Sequence, residues 1–146
     1  MSKKLRVGII GTGGIAVRSH MPQWAKNPDS EIIAVCDANE AAMNKAGDEF
    51  GVQHRFTDYK EMLKMDEIDV VDVCNPYYLH AEPSILALNA GKHVLVEKPM
   101  AMNAVEGQAM CDAADKAGRR LMVGYCCRYC SEAQTLKRFV DAGQMG

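Results

Sequence analysis

The sequence has few aromatic residues, little net charge and no long hydrophobic run. Aromatic residues make up 6% of its 146 residues, and 17 Lys and Arg against 19 Asp and Glu give a formal net charge of -2. Without a basic block, the chain lacks the electrostatic footprint of nonspecific nucleic-acid binding, so no nucleic-acid partner is expected. Its apolar runs, such as residues 32–36, are far shorter than the roughly 20 residues of a membrane-spanning helix, so no membrane partner is expected either.

The chain also lacks the features of a secreted protein. Its charged opening, MSKKLR, is followed at residues 7–10 by an apolar run too short for a signal peptide. We therefore expect a cytoplasmic protein whose six cysteines are reduced thiols. Cys127 and Cys130 form a C-x-x-C pair, but no second pair completes a four-ligand zinc site, so no metal is predicted.

What the sequence does contain is a regular alternation of strand-like and helix-like segments. The strand-like segments are short and rich in β-branched residues, as expected of strands buried on both faces of a parallel sheet. The helix-like segments each end at a glycine, a common helix terminator. This alternation predicts an α/β fold with a doubly wound parallel sheet. Strands are predicted over 5–10, 32–36, 70–74, 94–96 and 121–123, and helices over 40–50, 82–90 and 104–117.

The C-terminal residues break this rhythm. A helix predicted over 131–142 carries an apolar face formed by Ala133, Leu136, Phe139 and Val140, which needs a partner. The last four residues, GQMG, are typical of a turn. We therefore divide the chain into a dinucleotide-binding domain, residues 1–124, and a crossover segment with a helix, residues 125–146. That segment is interpreted as leading to a second domain absent from this truncated chain.

A glycine-rich turn follows the first strand directly. Residues 11–16, GTGGIA, match the G-x-G-x-x-G/A pattern of dinucleotide-binding folds. In that pattern Gly11 makes the tight turn, Gly13 lets the backbone approach a pyrophosphate, and Ala16 keeps the helix close to the strand. The helix start then offers free N–H groups to the phosphates. The predicted phosphate-binding residues are Gly11, Thr12, Gly13, Gly14, Ile15 and Ala16.

An acidic residue, Asp37, ends the second predicted strand. This is where such folds place a carboxylate that accepts hydrogen bonds from the adenosine ribose hydroxyls. Asp37 would repel a 2′-phosphate, and Ala38 and Asn39 offer no cation to hold one, so NAD is favoured over NADP. The alternative is purely structural: the glycines only turn a strand into a helix, and Asp37 only caps the next helix.

Two further segments follow strands at the edge where such sheets bind ligands. One is Asn75-Pro76 with His80, and the other is Glu97-Lys98-Pro99. Together with VGIIGTG at residues 7–13 and AGKHVLVEKP at residues 90–99, they resemble the Gfo/Idh/MocA family of oxidoreductases, related to glucose–fructose oxidoreductase and inositol dehydrogenase. The resemblance covers essentially the whole chain, and residues 91–99 are its most specific part.

The resemblance implies a Rossmann domain followed by a larger α/β domain that carries much of the substrate site and commonly the dimer interface. We therefore expect a homo-oligomer formed through that second domain, and a fragment inactive by itself. Lys98 is implied as the catalytic lysine, which donates to the substrate hydroxyl and the cofactor. The implied cofactor-binding residues outside the glycine turn are Asp37, Asn75, Pro76, Tyr77, His80, Glu97, Lys98 and Arg128.

Each of these residues also has a plainer interpretation. Asn75-Pro76 is a common turn pair, and Lys98 can be a solvated lysine before a turn-forming proline. His80 either touches the cofactor or lies in the first turn of a helix. Glu97 either orients Lys98 or forms an ordinary surface ion pair.

The function expected from the sequence is an NAD-dependent oxidoreductase, of which this chain is the cofactor-binding part. Hydride would pass between the nicotinamide and a secondary hydroxyl or keto group of a sugar, a cyclitol or a derivative. The alternatives are a non-catalytic module that senses NAD(H) and a cysteine-based redox or metal protein.

Overall fold

Six parallel strands form one sheet in the computed structural model, which describes residues 4–145. Their spatial order is β3-β2-β1-β4-β5-β6, so the chain direction across the sheet reverses between β1 and β4. This order confirms the predicted doubly wound fold, and it places a ligand crevice at the reversal. The strands are β1 (Leu5–Ile10), β2 (Ser30–Cys36), β3 (His54–Phe56), β4 (Val70–Val73), β5 (His93–Val96) and β6 (Leu121–Val123).

Helices connect the strands and lie on both faces of the sheet. The first begins as a π-helical turn, Ala16–His20, and continues as α1 (Met21–Lys26). As predicted, α2 and α5 end at glycines in the left-handed conformation, Gly51 and Gly118. The remaining helices are α2 (Glu40–Phe50), α3 (Tyr59–Met62), α4 (Ala81–Asn89), α5 (Ala104–Ala117) and α6 (Ser131–Asp141), with 3-10 turns at Tyr77–Leu79 and Cys126–Tyr129.

Alternate strand residues enter two separate hydrophobic clusters. Val7 and Ile9 of β1 pack with Met21 of α1 and Met43 of α2. Ile10 belongs to the other cluster, which includes Leu88 of α4 and Met110 of α5. Because successive side chains of a strand point to opposite faces, the two clusters lie on opposite sides of the sheet. Burial on both faces explains the continuous apolar runs in the sequence.

Strand register aligns the carboxyl ends of all six strands. Ile10 pairs with Cys36 on one side and with Val73 on the other. Cys36 pairs with Phe56, Val73 with Val96, and Val96 with Val123. The residues just beyond the strands therefore form a row along one edge: Gly11, Asp37, Thr57, Cys74, Glu97 and Gly124.

The C-terminal helix stands apart from this arrangement. Helix α6 contacts chiefly the preceding 3-10 turn, and Leu136, Phe139 and Val140 remain 52%, 48% and 53% exposed. The predicted apolar face is thus present but largely uncovered within residues 4–145. In the same part of the chain, no helix is both long and apolar enough to cross a membrane.

Burial predicts very different costs for two leucines. Leu88→Ala removes a side chain that is 0% exposed, so we expect it to lower the free energy of unfolding by about 2–5 kcal/mol. Leu136→Ala on α6 changes a side chain that is 52% exposed, and its effect should stay within about 0.5 kcal/mol. Urea unfolding followed by circular dichroism measures both values. Similar losses for the two variants would contradict the packing described here.

Candidate functional site

The ends of β1 and β4 approach each other closely at Gly11. This glycine has a φ of +90°, and a Cβ built on it would lie 2.6 Å from the backbone nitrogen of Asn75. Any side chain would therefore force the two strand ends apart. At Gly13 no heavy atom lies within 4 Å of a Cβ position, so this part of the turn opens into free space.

The glycine turn leads directly into the first helix. Val17 N–H donates to Gly13 O at 3.1 Å, which is the first α-helical hydrogen bond of that segment. The N–H groups of the residues before Val17 are the ones that a helix start leaves without helical partners. Arg18 adds a positive charge here, since a Cβ on Gly14 would lie 2.7 Å from its guanidinium Nη2. Arg18 was not assigned to the site from the sequence, because a single arginine after the glycine motif forms no recognisable pattern.

Asp37 is held beside the glycine turn by three hydrogen bonds. Its Oδ2 accepts from Thr12 N–H at 2.7 Å and from Thr12 Oγ1 at 3.0 Å, and its Oδ1 accepts from Asn39 N–H at 2.8 Å. A carboxylate has about four acceptor positions, so at least one remains for a ligand. The N-cap of α2 is Asn39, whose Oδ1 accepts from Ala42 N–H. The interpretation of Asp37 as only the cap of that helix is therefore wrong.

A groove of about 440 Å³ lies at the reversal point of the sheet. It brings together five of the predicted site residues, namely Gly11, Gly13, Asp37, Asn75 and Pro76. It also contains three residues that sequence reasoning missed, Thr57, Asp58 and Tyr59, which follow β3. Strand β3 was not predicted because three residues, including a charged Arg and an exposed His, show no recognisable strand pattern. The other lining residues are Ile10, Cys36, Ala38, Cys74 and Leu79.

Asn75 leaves one buried polar atom without a partner. Its Nδ2 donates to Leu79 O at 3.1 Å, whereas its Oδ1 has no hydrogen-bond partner among the described residues. Buried polar atoms are normally paired, so an unpaired acceptor in a residue that lines a groove fits a ligand with a donor group. Tyr77 lies next to this segment on an exposed 3-10 turn, where its ring meets that of Tyr78 edge to face at 5.7 Å.

His80 is buried and bonded on both sides. It is 1% exposed, and its ring nitrogens lie 2.8 Å from Pro99 O and 2.9 Å from Asn75 O. It immediately precedes α4 as the N-cap residue, rather than lying within the first turn of that helix. The ring thus ties the loop after β4 to the loop after β5, and neither ring nitrogen is free for a ligand.

Lys98 and Glu97 follow β5 but do not pair through their charged groups. The Lys98 side chain is exposed and forms no ion pair within residues 4–145, and its backbone N–H donates to Glu97 Oε2 at 3.0 Å. The other oxygen of Glu97, Oε1, lies 3.0 Å from His20 Nε2. Glu97 is 13% exposed, so the interpretation as an ordinary surface ion pair is wrong.

His20 connects Glu97 to a fully buried carboxylate. Its Nδ1 lies 2.9 Å from Asp72 Oδ2, which also accepts from Trp24 Nε1 at 2.7 Å. The hydrogen bond with Asp72, aided by the charges of Asp72 and Glu97, raises the pKa of His20 to about 9 against the opposing effect of burial. Burial and the nearby Asp72 also raise the pKa of the Cys74 thiol, so Cys74 stays protonated.

The same group contains three potential metal ligands. His20, Asp72 and Cys74 each offer one ligand atom, and these atoms lie within 4.8 Å of one another. Cys74 Sγ donates to Asp72 Oδ1 at 3.5 Å, so each of the three residues already forms hydrogen bonds within the group. The geometry is that of a self-satisfied hydrogen-bond network.

Arg128 is predicted to bind the cofactor but lies outside the groove at the reversal point. It is exposed on the 3-10 turn Cys126–Tyr129 and shares a hollow with Lys137 and Arg138 of α6. It does not line the groove that contains Gly11 and Asp37. Its assignment to the cofactor site stays a prediction.

The doubly wound sheet, the glycine turn and the groove at the reversal point together define a Rossmann domain of the dinucleotide-binding class. The family model described as "Oxidoreductase family, NAD-binding Rossmann fold" matches residues 5–125. The chain therefore belongs to the Gfo/Idh/MocA family, as its strand-end motifs predicted. The domain boundary placed at residue 124 stays a prediction.

Curated relatives include two sugar or cyclitol dehydrogenases. The chain is 36% identical over 145 residues to D-glucoside 3-dehydrogenase of Escherichia coli K12, covering 99% of this chain and 41% of that protein. It is 31% identical over 145 residues to inositol 2-dehydrogenase of Salmonella typhimurium, covering 97% and 43%. The chain thus spans about two fifths of the length of these relatives.

Solved structures show the same fold with two different cofactors. The WlbA dehydrogenase of Bordetella pertussis, in complex with NADH and UDP-GlcNAcA, matches with a TM-score of 0.92 and 31% identity over 99% of this chain and 44% of that one. KijD10, a 3-ketoreductase of Actinomadura kijaniata in complex with NADP, matches with a TM-score of 0.89 and 30% identity over 99% and 46%. A nicotinamide cofactor is therefore common to both relatives.

The buried network predicts stability that falls as pH rises. The pKa of His20 is raised to about 9 in the folded protein, whereas an unfolded chain gives an ordinary histidine pKa of about 6.5. The stabilisation is complete below about pH 6.5 and is lost as the pH rises through about 9, a change of about 3 kcal/mol. Urea unfolding at about pH 6 and about pH 9.5 measures this loss. His20→Gln is the control, and an equal pH dependence in that variant would rule out His20 as the cause.

Proposed function

We propose that this chain is the NAD-binding part of an enzyme that transfers a hydride between a nicotinamide cofactor and a secondary hydroxyl or keto group of a sugar, a cyclitol or a derivative. The observation that carries the proposal is the groove of about 440 Å³ that Gly11 and Asn75 line together. A Cβ on Gly11 would strike the backbone of Asn75, and the unpaired Asn75 Oδ1 can accept a hydrogen bond from a ligand. Both features fit a bound dinucleotide.

The residues of the groove suit the two halves of NAD differently. The pyrophosphate would lie at the helix start, residues 13–16, where backbone N–H groups and the Arg18 guanidinium offer positive charge. The adenosine ribose would lie against Asp37, whose remaining acceptor position can bind a hydroxyl. Asp58 places a second carboxylate in the same groove. Two carboxylates disfavour the additional phosphate of NADP.

Lys98 is proposed to act at the nicotinamide end. When bound, the cofactor supplies the acceptor or donor of the hydride. The exposed ammonium of Lys98, free of ion pairs within residues 4–145, is available to donate to the reacting oxygen and to help move the hydroxyl proton. The carboxylate of Glu97 accepts a hydrogen bond from the backbone N–H of Lys98 and so fixes that backbone. The lysine side chain therefore projects from a defined point of the carboxyl edge.

The remaining parts of the proposal rest on the relatives. D-glucoside 3-dehydrogenase and inositol 2-dehydrogenase are named for sugar and cyclitol substrates, which supports that substrate class here. We propose that a second domain completes the substrate site and a homo-oligomer interface, and that the enzyme works in the cytoplasm.

Two other functions are less well supported. An NAD(H)-sensing module needs no free lysine at the carboxyl edge, so Lys98 favours an enzyme. A cysteine-based redox protein needs a thiol with a lowered pKa. Here a hydrogen bond with Cys126, together with repulsion from Cys126 and Cys130, raises the pKa of the Cys127 thiol instead.

Asp37 predicts a preference for NAD(H) over NADP(H). A carboxylate near the ribose repels a 2′-phosphate, so we expect at least about tenfold tighter binding of NAD(H). Calorimetric titration of this chain with both cofactors measures the ratio. Asp37→Ser should reduce the ratio, whereas Asp115→Ser, an exposed aspartate on α5, should leave it unchanged. Equal affinities for NAD(H) and NADP(H) in the unsubstituted protein would contradict the assignment of Asp37 to the adenosine ribose.

If Lys98 acts in catalysis, replacing it should impair catalysis and leave cofactor binding intact. In the full-length enzyme, Lys98→Ala should lower kcat by about 10²–10⁴-fold, because interactions with the reacting oxygen strengthen in the transition state. The dissociation constant of NAD should stay within about twofold, because the pyrophosphate and adenosine contacts are untouched. Steady-state kinetics and cofactor titration test this, with the exposed Lys116→Ala on α5 as the matched control. Near-normal kcat with weakened NAD binding would make Lys98 a cofactor-binding residue only.

A further inference from the structure

An aspartate interrupts the apolar centre of β4. Asp72 is 0% exposed, and the other three residues of the strand are valines. A buried carboxylate costs a great deal of free energy unless it is paired and hydrogen-bonded. The partners of Asp72 are His20 Nδ1 at 2.9 Å, Trp24 Nε1 at 2.7 Å and Cys74 Sγ at 3.5 Å.

His20 reaches Asp72 from the first helix. It is the last residue of the π-helical turn Ala16–His20, a rare local conformation that is frequently found at functional sites. Its Nδ1 faces Asp72 and its Nε2 faces Glu97 at 3.0 Å, so carboxylates accept hydrogen bonds on both sides of the ring. A ring that donates at both nitrogens is the imidazolium form. The raised pKa of His20, about 9, agrees with this geometry.

Glu97 carries the contact on to Lys98. One carboxylate oxygen bonds to His20, and the other accepts from Lys98 N–H at 3.0 Å. Gly124, at the end of β6, leaves the space that this carboxylate occupies, since a Cβ there would lie 3.2 Å from Glu97 Oε1. A continuous chain of hydrogen bonds therefore runs from the interior of β4 to the backbone of Lys98.

We infer that His20 is a positioning residue for Lys98: held between Asp72 and Glu97, it fixes the carboxylate that orients the Lys98 backbone at the reaction edge. The inference rests on the proposed function, because Lys98 is the group that is positioned. His20 itself touches neither substrate nor cofactor in this role.

The network continues beyond the groups that bond directly to Asp72. Trp24 Nε1 and Cys74 Sγ also donate to Asp72, whereas the bond from His20 to Glu97 extends the network to the carboxyl edge. A role limited to stability would make substitutions at His20 lower the free energy of unfolding without changing catalysis by the folded enzyme. A positioning role makes kcat depend on the His20 ring and on its protonation.

Several titratable groups surround this ring. Asp72 and Cys74 face it from β4, and Glu97 faces it from the end of β5. Tyr125 and two residues of the 3-10 turn that follows it, Cys126 and Tyr129, contribute further titratable side chains to the hollow that contains His20 and Glu97. The hydrogen bond with Asp72 is the largest cause of the raised pKa of His20, so a variant at Asp72 is the most direct way to change the protonation of His20.

The first test compares two histidines in the full-length enzyme. His20→Gln should lower kcat by about 10- to 100-fold, because a small misplacement of a reacting group is enough for such a loss. The dissociation constant of NAD should stay within about twofold. His54→Gln changes an exposed histidine of β3 and should leave kcat unchanged. Thermal unfolding establishes that each variant is folded at the assay temperature.

The second test uses pH and does not depend on the folding of the His20 variant. Asp72→Asn keeps the size of the side chain but removes the charge that favours imidazolium. The pH above which kcat falls should therefore move down by about one unit or more. In this chain, the ring ¹⁵N NMR shifts of His20 should report loss of the proton at a correspondingly lower pH, while those of His54 stay unchanged.

The outcomes separate the inference from the function on which it rests. The positioning role is overturned if the His20→Gln enzyme is folded and has a normal kcat. It is also overturned if kcat of Asp72→Asn falls above the same pH as kcat of the unsubstituted enzyme. A lowered kcat in His20→Gln, together with a lower pH for the fall of kcat in Asp72→Asn, supports the positioning role. Absence of NAD binding and of hydride transfer in the unsubstituted enzyme contradicts the proposed function instead.

Discussion

The contact between Gly11 and Asn75 is the constraint on which the site depends. Strands β1 and β4 end side by side at this point, and the connections that follow them diverge, to α1 on one face of the sheet and to α4 on the other. The close approach of the two strand ends requires that Gly11 has no side chain to strike Asn75. That divergence opens the groove, places the start of the first helix beside it and brings Asp37 within reach of Thr12. The geometry of the groove thus depends on one missing Cβ.

Much of this arrangement could be predicted from the sequence. The fold follows from alternating strand and helix patterns, and the glycine turn with Asp37 follows from their position after β1 and β2. These features are local and have a regular spacing, so a single sequence reveals them. Strand β3 was not predicted because HRF is only three residues long and two of them are polar, so Thr57, Asp58 and Tyr59, which follow it, were not assigned to the site.

The buried network could not be predicted for a different reason. Asp72 and Glu97 lie 52 and 77 positions away from His20 in the sequence. Each of the three residues has an ordinary interpretation on its own. From the sequence, Glu97 was assigned to the cofactor site, where it either orients Lys98 or forms an ordinary surface ion pair. Only the folded structure shows that the Glu97 carboxylate faces the ring of His20, which links the interior of the sheet to its carboxyl edge.

The common level at which all six strands end has a consequence for insertions and deletions. Removing one residue from β2 would reverse the faces of all later side chains in that strand and withdraw Asp37 from Thr12, because side chains alternate with a period of two. The opposite edge of the sheet carries no residue of the proposed site. Related proteins should therefore vary in length at the amino-edge connections, such as residues 27–29 and 51–53, and keep the strands and the carboxyl-edge turns constant in length.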